Sequence, residues 1–107
     1  SYLDHQAGKL AKRFDANTYI ALTEAMNSHD IGRGRGGVAA ALESITVPVM
    51  VLSIDTDRLF PPRLQAEVAD LAPHAAPVET ITSPFGHDGF LVEVESVGAV
   101  VRKALAL

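Results

Sequence analysis

Val49-Met50-Val51-Leu52-Ser53-Ile54-Asp55-Thr56-Asp57-Arg58-Leu59-Phe60-Pro61-Pro62 runs from an apolar strand into two acids and then into a proline stop. An apolar run without polar alternation belongs to a strand covered on both faces, as in a parallel sheet flanked by helices. The strand is predicted over Thr46 to Ile54, with Pro48 tolerable near its start. Pro61-Pro62 suits the first turn of a helix, and Leu64, Val68 and Leu71 then supply a buried stripe that ends before Pro73. A second strand is predicted from Pro77 to Thr82 around Val78-Glu79-Thr80-Ile81, where polar residues alternate as they do near a sheet edge. After the loop Ser83 to Gly89, a last helix places Val97, Val100, Val101, Ala104 and Leu105 on one face. Strand, helix, strand, helix implies parallel neighbours joined by a right-handed crossover. Ligands in such sheets sit outside the carboxyl ends of the strands, and there this chain carries Asp55, Asp57 and His87.

Upstream of the strand the pattern is helical. Leu3, Ala7, Leu10, Ala11 and Phe14 recur at helical spacing. Asp15 is an N-cap candidate for a second helix, whose apolar residues Ala16, Tyr19, Ile20, Ala21, Leu22, Ala25 and Met26 cover more than half of its circumference. So wide an apolar surface calls for cover on two sides, by a partner helix, another subunit or a tunnel wall. The glycine-rich segment Asn27 to Gly37 closes this helical hairpin, and Val38 to Ser44 reads as a short helix leading into the strand. The expected domains are therefore 1–37, hairpin and glycine-rich loop, and 38–107, a βαβα core.

With 107 residues, 48% of them hydrophobic and 21% charged, the chain has material for one modest core but is short for an α/β enzyme. No apolar run approaches the roughly 18 residues of a spanning helix. A net charge of −4 leaves no electrostatic footprint for nucleic acid or an anionic membrane. The absence of cysteine removes thiolate nucleophiles and ligands and fits a reducing compartment, so a cytoplasmic location is expected. His5, His29 and His74 have no metal-ligand spacing, and no metal is expected. The segment Gly32-Arg33-Gly34-Arg35-Gly36-Gly37 lacks the Lys-Ser/Thr ending of a phosphate loop and the aromatic residues of an RNA platform, so a structural turn is expected of it. The chain opens Ser-Tyr-Leu-Asp-His, without Met or a signal-peptide pattern, and reads as a piece of something longer.

An acid after one strand and a histidine after the next can meet at the same sheet edge. A carboxylate against one imidazole nitrogen fixes the tautomer and leaves the other nitrogen as general base, which is two thirds of a catalytic triad. The nucleophile is missing. No Gly-x-Ser-x-Gly occurs, and Ser83, near His87, precedes a proline in a loop rather than standing on a strand-to-helix elbow. From the residues alone, Asp55 and Asp57 serve equally well as caps of the following helix, His87 as a surface histidine and Asp88 as the cap of a turn.

Four stretches narrow these alternatives. Phe14-Asp15-Ala16-Asn17-Thr18-Tyr19, His29-Asp30-Ile31-Gly32-Arg33-Gly34-Arg35-Gly36-Gly37, Asp55-Thr56-Asp57-Arg58-Leu59-Phe60-Pro61-Pro62 and Gly86-His87-Asp88-Gly89-Phe90-Leu91 resemble, in that order, the C-terminal part of the homoserine O-acetyltransferase family. The resemblance implies the C-terminal fragment of an α/β-hydrolase fold: two parallel strands with flanking helices, preceded by a helical hairpin from the cap region. It implies Asp57 as triad acid, His87 as base and Asp88 as ligand of the substrate amino group, with the serine and oxyanion hole upstream. The implied substrates are acetyl-CoA and L-homoserine in the full-length enzyme, in methionine biosynthesis, with no bound cofactor. A homodimer through the hairpin, or assembly with the missing N-terminal half, is the implied partnership. Gly89 departs from the alanine common in the family, and its backbone freedom is expected to loosen the His87 turn. Succinyl- or serine acyltransferases and esterases of the same fold are the neighbouring readings. A non-catalytic assembly piece is the reading of a different class.

Overall fold

In a computed structural model describing Ser1–Leu107, the chain forms two compact units, Ser1–Ile31 and Gly32–Leu107. The first consists of α1 (Tyr2–Arg13) and α2 (Ala16–Ser28). Each start is encoded locally. Ser1 and Asp4 form a reciprocal capping box on α1, and the Asp15 carboxylate accepts the Thr18 N–H at 3.0 Å on α2. Phe14 and Asp15, both extended, make the corner between the helices, where the Phe14 and Tyr19 rings meet edge to face at 6.4 Å. No residue of either helix is buried.

The second unit holds α3 (Val38–Glu43), β1 (Leu52–Ile54), α4 (Pro62–Leu71), β2 (Glu79–Ile81), α5 (Gly89–Val92) and α6 (Val94–Ala104), with a 3-10 turn at Gly86–Asp88. The strands are parallel, with Leu52 opposite Glu79, Ser53 opposite Thr80 and Ile54 opposite Ile81. Parallel pairing across a helix and the proline-led start of α4 are as expected.

The predicted strand Thr46 to Ile54 is cut to three residues. Pairing begins at Val49 opposite Ala75, and the carbonyls of Val49 and Val51 accept the N–H groups of Ala76 and Glu79. Between those two donors stands Pro77, which has no N–H, and the second segment carries one residue more than the first before the ladder resumes at Leu52–Glu79.

The core is Ile54, Ile81 and Val100, with Met50, Leu52 and Val97 packed against it, so α6 lies on the face that carries Ile54 and Ile81. The helical stripes are buried less completely than their periodicity predicts. Leu64, Val68 and Leu71 are half-buried, Val101 on α6 is 50% exposed, and Leu105, at its C-cap, is 84% exposed. A two-stranded sheet is narrower than the apolar face of a helix laid on it, so only the central residue, Val100, is covered fully. No helix is long and apolar enough to cross a membrane.

Candidate active site

β1 ends at Ile54 and the chain turns at once, the Asp57 N–H returning to the Ile54 carbonyl at 3.1 Å. This turn pulls the Asp57 side chain inward, where it is 7% exposed. Its Oδ1 accepts the backbone N–H groups of Leu59 and Phe60 at 2.8 and 2.9 Å, a local turn of the kind aspartate favours. Its Oδ2 faces the Nδ1 of His87 at 2.8 Å. The carboxylate serves the turn with one oxygen and the imidazole with the other. Asp57 does not cap α4, whose N-cap is Pro61 with no side-chain cap bond.

His87 reaches that position through the loop after β2. Gly86 takes a positive φ of 59°, which an L side chain rarely adopts, and starts the 3-10 turn that carries the imidazole. The ring stands between Phe60 and Phe90, with centroid distances of 5.1 and 5.2 Å. At 31% exposure, His87 is far more open than the acid beneath it. With Nδ1 turned to Asp57, Nε2 is the nitrogen left to exchange a proton.

Burial opposes the Asp57 charge, but hydrogen bonds from His87 and from the Phe60 and Leu59 N–H groups outweigh it and hold the carboxyl below its ordinary value of 3.8. The sign follows: a depressed value means the charged form favours the folded site above the ordinary value, and that contribution disappears as pH falls through the folded one. Asp57 therefore stays ionised across the neutral range, as a partner for an imidazolium requires.

Beside the pair lies a cavity of about 150 Å³ lined by Leu52, Ser53, Ile54, Asp57, Phe60, Gln65, His87 and Phe90. Ser53 is 2% exposed and its hydroxyl makes no hydrogen bond within the chain. Asp88 is exposed at the N-cap position of α5, where its side chain makes no cap hydrogen bond. Asp55 does not cap α4; its Oδ1 accepts the Ser83 N–H at 3.1 Å. Ser83 is 1% exposed and its hydroxyl accepts the Phe85 N–H, so it is a structural hub rather than a nucleophile.

Gly89 also differs from expectation. It is buried and helical, with φ of −51°, and a Cβ there would stand 2.9 Å from Ile54 Cγ2 and 3.0 Å from Ser83 Oγ. Glycine here serves close packing of the histidine turn against β1 instead of loosening it.

Three features of the site were not foreseen from sequence: the aromatic pair Phe60 and Phe90, the Ser83 hub and the cross-loop role of Thr56, whose hydroxyl donates to the Ser83 carbonyl. The aromatics had a signal, since Phe90 lies three residues beyond His87 and Phe60 three beyond Asp57. Thr56 had none, because its partner is 27 residues away.

An acid and a histidine paired at adjacent strand ends fit acyl-transfer chemistry. The chain is similar along its whole length to the C-terminal part of homoserine O-acetyltransferase. It is 59% identical over 107 residues to the homoserine O-acetyltransferases of Mycobacterium bovis and Mycobacterium tuberculosis, covering 28% of each. Identity to that of Mycolicibacterium smegmatis is 56%, again over the whole chain and 28% of the relative. The chain thus spans under a third of the length of the curated relatives it matches. No family model matches it.

Proposed function

We propose that this chain supplies the acid and the base of a homoserine O-acetyltransferase of α/β-hydrolase fold. The observation that carries the reading is the 2.8 Å contact between Asp57 Oδ2 and His87 Nδ1 at the ends of two parallel strands. In the reaction, His87 Nε2 takes the proton of a serine supplied from outside these residues as that serine attacks the acetyl-CoA thioester. CoA leaves with the proton, and an acetyl-serine ester remains. Homoserine then enters, His87 takes its hydroxyl proton, and the alkoxide attacks the ester carbonyl; the ester bond to the serine breaks as His87 returns the proton to the serine oxygen, giving O-acetylhomoserine. Asp57 holds the imidazole in one tautomer and stabilises its charged form in both halves. Asp88, exposed one residue beyond the base, binds the amino group of homoserine. No cofactor takes part. The helical pair is the end of the cap region and its exposed apolar side chains, Tyr19, Ile20 and Met26 among them, contribute to a homodimer in the cytoplasm.

The test joins the chain to the upstream part of the Mycobacterium tuberculosis relative, in place of the segment it matches, and follows CoA release from acetyl-CoA with homoserine. Turnover is expected in the joined protein, with Asp57→Asn lowering kcat by ~10⁴ because the imidazole is left in the wrong tautomer. His87→Ala is expected to reduce it to background. Turnover that survives His87→Ala, or by the 107-residue chain alone, overturns the proposal. Ester cleavage without preference for homoserine, or use of succinyl-CoA, assigns the neighbouring activities instead.

A further inference from the structure

We propose that Thr56 is a positioning residue, its hydroxyl clasping the loop that bears His87 to the loop that bears Asp57 and thereby setting the hydrogen bond between them. The need for a clasp follows from the sheet. Strand pairing ends at Ile54 opposite Ile81, and its last rung is the Asp55 N–H on the Ile81 carbonyl at 3.1 Å. Beyond that rung no backbone pairing joins the two loops, yet a contact of 2.8 Å must be held between their side chains. A displacement of about 1 Å takes such a pair outside hydrogen-bond range.

Thr56 spans the gap in both directions. Its Oγ1 donates to the Ser83 carbonyl and accepts the Gly86 N–H at 3.0 Å. Gly86 directly precedes His87, so the second bond holds the backbone from which the imidazole projects. Asp55 adds a third tie by accepting the Ser83 N–H at 3.1 Å. A hydroxyl donates and accepts at once, a capacity that a methyl of the same size lacks. Branching at Cβ restricts the rotation of that hydroxyl, which makes threonine a stiffer clasp than serine. The Thr56 hydroxyl is bonded to Ser83 and Gly86, and the Asp57 carboxylate to Leu59, Phe60 and His87, so the influence on the pair passes through the loop backbone.

The inference rests on Asp57 and His87 acting as a pair, and the experiment separates the two claims. Long-range ¹⁵N–¹H spectra of the 107-residue chain, recorded at alkaline pH, read which ring nitrogen of His87 carries the proton. The wild type is expected to carry it on Nδ1, facing Asp57. Thr56→Val is expected to lose that preference and move to the Nε2–H form that free imidazole side chains favour, while Thr56→Ser keeps it on Nδ1. Urea unfolding of the same samples shows that each variant is folded. A folded Thr56→Val with the wild-type tautomer overturns the proposal, and so does one that unfolds outright, since the role is then structural. A wild type without the Nδ1 preference sinks the Asp57–His87 reading itself.

Discussion

The helical pair Ser1–Ile31 and the unit Gly32–Leu107 carry equally regular apolar patterns and put them to different use. In the first, every helical side chain is at least partly exposed, with Leu22 at 50% and Tyr19 at 64%. In the second, Ile54, Ile81 and Val100 fall to 4%, 8% and 9%. Periodicity states which residues share a face; it does not state whether anything lies against that face. Helices α1 and α2 owe their ends to capping residues, whereas the β-unit owes its shape to contacts between residues far apart in the chain. Truncating a core side chain and removing a cap therefore damage different units.

The largest effect is expected from Ile54→Ala. Ile54 is the most buried apolar residue and sits beside Ile81 under Val100, one turn before the site acid. Its loss is expected to cost about 2–5 kcal/mol, since the lost transfer energy is compounded by a cavity that the strand cannot collapse. Urea unfolding monitored by circular dichroism measures it, and a shift below about 1 kcal/mol shows that the second unit has no more of a core than the first.

Gly89→Ala comes next, and it tests the packing of the histidine turn. A Cβ 2.9 Å from Ile54 Cγ2 meets a branched, buried side chain with little room to retreat. Overpacking of this kind is expected to cost about 1–3 kcal/mol. The same measurement decides it. An unchanged or raised midpoint shows that β1 and the turn separate easily and that a Cβ at this position is accommodated by a small shift.

What was legible in the sequence follows the same division. Asp15 as a cap, Pro61-Pro62 as a helix start and the order of helices and strands could be read because each signal acts within a few residues. Pairing of Asp57 with His87 was open on the residues alone and narrowed by resemblance; only the folded chain shows Asp57 serving the turn and the imidazole together. The strand length was overestimated because the interruption lies in its partner: Pro77 and the extra residue beside it stop a ladder whose other side is unbroken apolar sequence. Thr56, Ser83 and Gly89 were misjudged or passed over for a related reason. Their neighbours lie on the opposite loop or strand, and no local pattern announces a contact across roughly thirty residues, the separation that loop closure makes entropically costly.

The smallest effect belongs to the helical pair and sharpens the contrast most directly. Asp15→Ala removes the acceptor of the Thr18 N–H, an orphan donor of the first turn of α2, and is expected to cost that helix about 1 kcal/mol. Amide hydrogen exchange of α2 reads the loss locally, as a several-fold fall in protection at its N-terminal turn, without a matching change at Ile54 or Ile81. Leu22→Ala in the same helix removes more apolar surface yet is expected to stay within about 0.5 kcal/mol, because Leu22 is half exposed already. If Leu22→Ala proves costlier than Asp15→Ala, the helix is held by an apolar contact in solution, and the division between a capped pair and a packed core fails. The order cap above side chain is what a helix stabilised by its own ends requires, and it is the reverse of the order expected around Ile54.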